Sequence, residues 1–556
     1  MPSRLAIFVL ILVSCAYVFI FVPPNLTGAK DPNILAAFSD ELPGYGTDES
    51  AQFGIAMRMT SRGGTLDETL QNALFYGYYQ EGYTFFLLSA LTIFPLRLAN
   101  KLFPGSISTT AYMVVLRQLS PILMVTAIML LVYVWTGFKS TAKSVALFVL
   151  MGAVPAVFLN NMVSRPDALV TLFVALTIFS LSKDKLRCGG WYYVAAVSCG
   201  LAIGTEVIGL LLCLVLAVYL VAGVMHKAVT STGALKHGVV FAAVMVLTVL
   251  MSNPLLLMPS VARQYVGMLT EHALRNAWEW RQEASGPLAW YREAGLAGSP
   301  SLQDAFGPWW LYALILSASL LGIAYRRENR LLNIIIMTWT VGASSYLLVS
   351  KDRDGAHCFI PVAVPLVSCI GNVFSLPLAS AWGRNKTAAF VAPMVVCALP
   401  VAFYVPANLT AYRDVLNREN TSASLRFYRQ LNDIYLSRLA PDDRVSVVRE
   451  VEMYLPPSSK WDDDVRRERF GYDYVNDARP DLVLLRTNTI RRQSDPNYVS
   501  RVYPTDREQW LRSYDLYRDA TAGSLSGFCK VLETDFGVAF LAKPRCASVT
   551  WTGRLR

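Results

Sequence analysis

The chain has 556 residues, of which 54% are hydrophobic, 12% aromatic and only 16% charged, with a formal net charge of +10. So few charges cannot cover a soluble protein of this size, and the composition excludes that class. Nor does the basic excess indicate nucleic acid, because the Lys and Arg residues stand between apolar blocks, where membrane topology accounts for them. The nine cysteines form no CxxC pair and no metal-ligand spacing. Most lie inside apolar runs as small hydrophobes, whereas Cys529 and Cys546 stand in a polar tail where a disulfide could form.

In chain order, the apolar blocks predict membrane spans over approximately 4–22, 111–136, 143–161, 167–182, 191–205, 207–224, 238–256, 308–324, 331–349, 358–376 and 388–405. Most approach the roughly 17 to 25 residues that carry a helix across a hydrocarbon core, and such unbroken runs favour helices over barrel strands. The first run follows Arg4 and lacks a small-residue cleavage site, so it reads as a retained span and not a signal peptide. Gly204 divides 191–224 into a hairpin of two short spans.

The stretch 83–98 decides the side of everything after it. If it crosses, nearly all the short basic loops fall outside. If it lies in the membrane plane and the N-terminus is cytoplasmic, Lys139, Lys143, Lys183, Lys185, Arg187, Lys227, Lys236, Arg326, Arg327, Arg330, Arg384 and Lys386 all fall inside. The second arrangement obeys the positive-inside rule. The expectation is an all-α polytopic membrane protein of about eleven spans, with juxtamembrane helices in the first outer loop. From Ala407 the chain turns polar, with β-type runs at 445–448 and 481–485 and a helix-like stretch at 424–439. This predicts a transmembrane domain over 1–405 and a small extracytoplasmic α/β domain over 406–556.

Chemistry-bearing residues then collect on the outer side. Asp48 and Glu49 open a helix in the first outer loop; Ser164-Arg165-Pro166-Asp167 follows at the mouth of a hairpin; Glu206 stands in an apolar stretch between two short spans. Further along come Asn253-Pro254, Glu271-His272, and Lys351, Arg353 and His357 before a late Pro-rich span. Each has an ordinary account as well: helix capping for Asp48 and Asp167, a turn for Glu206, solvated topology for Lys351 and Arg353. An ionisable group at a membrane boundary is nevertheless a functional site by default.

In this order the pieces resemble the glycosyltransferase C (GT-C) superfamily, in particular the protein O-mannosyltransferase-like enzymes and the bacterial aminoarabinose transferases acting on lipid A. The resemblance covers roughly residues 1–405 and rests on the order of motifs: Asp-Glu opening an outer helix, Arg-Pro-Asp, a Gly-Leu-Ala…Thr hairpin, Asn-Pro, Glu-His, and Lys before the late span. It implies an inverting transferase in the bacterial plasma (inner) membrane. The donor would be a polyprenyl-phosphate sugar, and the acceptor hydroxyl would sit on a lipid, a polysaccharide or a protein. It also implies Asp48 as catalytic base with Glu49 beside it, Asp167 as the second acidic position, and Glu271-His272 as a pair of the active cavity. Arg165, Lys351 and Arg353 are then the candidates for the carrier phosphate. No cofactor is implied with certainty; a divalent cation shared by Glu206, His272 or the Asp-Glu pair fits the same groups. The chain departs from the family in having Glu206 where Lys usually follows Thr, and Ala356-His357-Cys358 where Arg-Tyr or Tyr-Tyr usually stands. Two other classes compete with this reading: a transporter or flippase for a lipid-linked glycan intermediate, and an assembly subunit.

Overall fold

The computed structural model describes residues 2–31, 48–77, 82–282, 305–325, 328–349, 356–375, 386–466, 470–497 and 504–546. Among them, seven helices are long and apolar enough to cross a membrane, and three shorter apolar helices accompany them. The protein is a multi-pass membrane protein by this criterion. The predicted hairpin is two helices, Gly190–Ile203 and Leu212–Met225, joined by a 3₁₀ turn over Val207–Leu211. Asp167–Asp184 packs between Thr109–Thr136, Gly190–Ile203 and Ile360–Ser368, so it sits at the centre of the bundle. The segment His357–Phe374 is enclosed too, with 94% of its window buried, against 17% for Arg4–Leu26 and for Ser231–Ser252. A helix apolar on every side belongs inside the bundle or against lipid, and these two cases divide accordingly.

Because successive helices run up and down, the turns fall at two ends. One end carries the start of the Thr109–Thr136 helix, the turn before Asp167, the turn at Gly204–Glu206 and Asn253. The opposite end carries Lys139, Lys183, Lys185, Arg187, Lys227 and Lys236, and Ser3, whose N–H bonds to Phe138 O.

The helix Tyr83–Leu102 is one of the seven that meet the length and apolarity criterion. Its start is tied to the Gly204 turn: Gly82 N–H bonds to Thr205 O and Thr84 N–H to Gly204 O. Farther along, Ile93 packs with Tyr112, Met113 and Leu116, in the first turns of the Thr109–Thr136 helix. Both contacts lie at the same end of the bundle, so this helix runs across that end. Its exposed Leu87, Leu91, Phe94, Leu98 and Leu102 recur at helical spacing and form one apolar stripe. At Gly82 a Cβ would come within 1.8 Å of Gly204 O, so only glycine permits the approach.

The last long helix, Lys386–Thr421, continues without a break past Pro406, and its bonds from Arg418 to Thr27 O and from Gly28 N–H to Glu419 bring the C-terminal domain to the same end. That domain is built on a five-stranded sheet of order β2-β1-β3-β5-β4, with β1 (Val445–Glu450), β2 (Trp461–Arg466), β3 (Leu482–Arg486), β4 (Phe528–Glu533) and β5 (Gly537–Ala542). β1 pairs in parallel with β2 and β3; β5 runs antiparallel to β3 and to β4. Alternation assigns the side chains to two cores: Val447, Leu482, Leu484, Ala539 and Leu541 face one way, and Val448, Val483, Leu485, Val538 and Phe540 the other. Helices cover both faces, which is why the central strands read as continuous apolar runs. Cys529 and Cys546 form a disulfide that ties β4 to the short helix Lys543–Cys546.

Candidate functional site

Arg117 lies inside the long apolar helix Thr109–Thr136 and is 0% exposed. A cation there is tolerated only if paired and fully hydrogen-bonded. Its Nε and Nη2 donate to Glu49 Oε1 and Oε2 at 2.7 and 2.8 Å, a forked pair, and its Nη1 donates to Asn25 O and Thr27 O. Thr27 O also accepts from Arg418, and Gly28 N–H donates to Glu419 Oε1 at 2.6 Å, so the end of the Lys386–Thr421 helix clasps the same strand of chain. Glu49 Oε1 accepts a further bond from Ser164 N–H at 3.0 Å, across a sequence separation of 115 residues. Burial alone would raise the Glu49 pKa. The charge and fork of Arg117, with Arg418 and the Ser164 N–H, outweigh it and hold the carboxyl below its usual range.

Ser164 belongs to a turn whose next residues form a second polar group. Arg165 Nε donates to Asp167 Oδ2 at 3.1 Å, and Arg165 Nη2 lies 2.7 Å from His357 Nε2. A guanidinium only donates, so His357 Nε2 accepts; this assigns the neutral ring with its proton on Nδ1. Arg165, Asp167 and His357 are 7%, 0% and 6% exposed. One donor atom each from Asp167, His357 and Cys358 lie within 4.8 Å of one another, close enough to be weighed as ligands of a metal ion. Carboxylate, imidazole and thiolate would suit zinc. Arg165, however, bridges Asp167 Oδ2 and His357 Nε2 and already supplies a fixed positive charge there.

The two groups are joined through Ser164 to Asp167, so the structure gathers Glu49, Arg165, Asp167 and His357 at one end of the bundle. Asp48 is the first residue of the Asp48–Met59 helix that carries Glu49. Glu206 opens the 3₁₀ turn beside Gly204 and is 6% exposed at the same end. Glu271 is exposed on the helix Pro259–Gln282, whose backbone also carries His272. Lys351 and Arg353 lie outside the described residues. Arg117 and Arg418 were not singled out from the sequence, and Cys358 stood out only as part of the Ala356-His357-Cys358 departure. A lone Arg within an otherwise clean span was the available signal for the first, because such a residue implies a partner.

Comparison with models of protein families finds no match to the sequence, and comparison with curated proteins finds none either. Solved structures do match. ArnT from Cupriavidus metallidurans in the apo state superposes with a TM-score of 0.51 at 13% identity, over 97% of this chain and 98% of that one. The same protein bound to undecaprenyl phosphate gives 0.48 at 13% identity, over 96% and 97%. The oligosaccharyltransferase of Archaeoglobus fulgidus in its apo form gives 0.46 at 15%, over 88% and 71%. Over nearly its whole length, the chain shares its fold with ArnT.

Proposed function

We propose that this protein is a membrane glycosyltransferase that moves a sugar from a polyprenyl-phosphate donor to an acceptor hydroxyl on the outer face of the membrane, inverting the anomeric carbon. The observation that carries the reading is the Glu49–Ser164 bond. It locks the first turn of the Asp48 helix against the Ser164–Asp167 turn, and these are the two motifs that the family resemblance makes an active site. The shared fold with ArnT, a protein crystallised with undecaprenyl phosphate, agrees with a lipid-phosphate donor.

In this reading the acceptor O–H gives its proton to Asp48 as its oxygen attacks the anomeric carbon. The bond from that carbon to the phosphate oxygen breaks, and its electron pair leaves with the phosphate. One positioned base suffices for a single displacement. Arg165, with Lys351 and Arg353, meets the charge that develops on the leaving phosphate. Glu49 acts as a positioning residue, since its carboxylate is already held by Arg117 and Ser164.

Two independent features support placing the site on the outer side. The basic turns sit at the opposite end from the site, as the positive-inside rule asks of the cytoplasmic face. The C-terminal domain, at the site's own end, holds a disulfide, which belongs to an oxidising compartment. Purified protein in vesicles, given undecaprenyl phosphate bearing a radiolabelled hexose or pentose together with membrane lipid, polysaccharide and protein fractions, should release the bare carrier and label one fraction. If every donor and acceptor pairing stayed unlabelled, the transferase reading would be rejected in favour of a carrier protein.

A further inference from the structure

The segment Asn160–Val170 runs from the end of the helix Pro155–Asn160 through a turn into the helix Asp167–Asp184, and every residue in it is buried. Connecting turns normally stay at the surface, where water satisfies their backbone and polar side chains. Here protein groups take that part: Ser164 N–H bonds to Glu49, Arg165 to Asp167 and His357, and Asn161 Nδ2 to the Tyr17 hydroxyl at 2.9 Å. Asn160 differs. Its carboxamide is 0% exposed, and neither Nδ2 nor Oδ1 has a hydrogen-bond partner among the described residues. Asn160 ends the helix Pro155–Asn160 and shares its buried face with Ala156 and Val157, at the i+4 and i+3 spacings. That helix packs on the 3₁₀ turn Ala356–Phe359, which carries His357 and Cys358. Asn160 O accepts from Val163 N–H, so Asn160 opens the same buried turn that holds Arg165.

A buried amide with both ends unmade destabilises a fold, and such groups persist where a ligand completes them. We propose that Asn160 reads the sugar of the carrier-linked donor, with Nδ2 donating to one ring hydroxyl and Oδ1 accepting from its neighbour. This rests on the transferase reading above. A carboxamide presents a donor and an acceptor side by side, which matches a vicinal diol. A phosphate would engage the donor alone, and the polyprenyl tail neither. Asn160 is thus a specificity residue for a hydroxylated sugar, and Arg165 serves the phosphate.

The test compares the parent with Asn160→Leu, which keeps the volume and removes both polar atoms. Melting temperatures are read in detergent with no ligand, with undecaprenyl phosphate, and with undecaprenyl phosphate carrying glucose, mannose, galactose or arabinose. The variant should melt at or above the parent when ligand-free, and the bare carrier should stabilise both equally. One of the glycosylated carriers should stabilise the parent further; the variant should lose that increment, and its KM for this donor should rise at least about tenfold. A variant that keeps the increment overturns the proposal and leaves Asn160 a water-filled packing site. So does a parent that binds bare carrier but gains nothing from any of the sugars. A parent indifferent to the bare carrier strikes instead at the transferase reading. If Asn160→Leu fails to fold, Asn160→Ala gives the same comparison.

Discussion

Replacing Arg117 by Met removes the cation from a fully buried pair while filling much of its space. Glu49 would keep the Ser164 N–H but lose both forked bonds, and Asn25 O would lose its donor. Breaking a buried pair from one side costs about 3–5 kcal/mol, because the other charge is left uncompensated. The orphaned carbonyl adds about 1 kcal/mol, so a loss of about 5 kcal/mol is expected. Unfolding in mixed micelles titrated with SDS would read it. Arg117→Met combined with Glu49→Gln removes the stranded charge and should recover much of the loss, giving a coupling of about 2–3 kcal/mol. The pH dependence has a defined sign. The Glu49 carboxyl is depressed in the folded protein, so the pair's stabilisation is present above the ordinary carboxylate range and lost as pH falls through the depressed value. With Arg117 gone, burial is left as the main influence and that slope should reverse. Activity provides a second readout. A shift of the Asp48 helix by about 1 Å should lower kcat on the order of 100-fold with little change in donor KM. A single variant that loses less than about 1 kcal/mol, or a double variant no better than the single, would refute the clamp.

Three further outcomes follow from the same structure. Glu450 is buried at the end of β1, where it accepts bonds from Arg486 N–H and the Tyr517 hydroxyl, and burial pushes its pKa up to about 7 from 4.5. The raised value makes its contribution fullest below the ordinary carboxylate range and lost as pH rises through about 7. Pulse proteolysis of the C-terminal domain should show a loss of about 3 kcal/mol over that window, and Glu450→Gln should flatten it. The Cys529–Cys546 bridge closes a loop of 17 residues, so Cys529→Ser with Cys546→Ser should destabilise that domain by about 3 kcal/mol; unchanged protease resistance would contradict this. Because Arg165 already supplies the positive charge between Asp167 and His357, EDTA should leave melting unchanged, whereas a chelator-induced drop restored by zinc would show that the Asp167–His357–Cys358 group holds a metal.

How much of this was legible in the sequence depends on the range of the interaction. The polytopic class, the hairpin at Gly204 and the strands within the tail are local patterns of apolar length and period, and the structure has them. The helix Tyr83–Leu102 shows the limit of local reasoning. Its length and apolarity alone make it a span, and only its bonds to Gly204 and its packing on Tyr112 and Leu116 lay it across the bundle end. Charge counting had argued for an in-plane helix from the loops alone, without these contacts. Acidic motifs were visible as residue types, but their partners were not. Nothing near Glu49 in sequence announces Arg117 or Ser164, because the fork and the N–H bond close across 68 and 115 residues. Asn160 was overlooked for the same reason, since an Asn at a helix end ordinarily reads as a solvated turn, and only its burial makes it unusual.

The central claim is that Asp48 removes a proton from the acceptor while the Glu49–Arg117 clamp holds it in place. The direct measurement is single-turnover transfer of radiolabelled sugar from undecaprenyl phosphate by purified Asp48→Asn protein, with binding of the bare carrier followed on the same sample. The account predicts parental binding and a transfer rate lower by about 10²–10⁴-fold. Transfer at the parental rate, with binding intact, would contradict it.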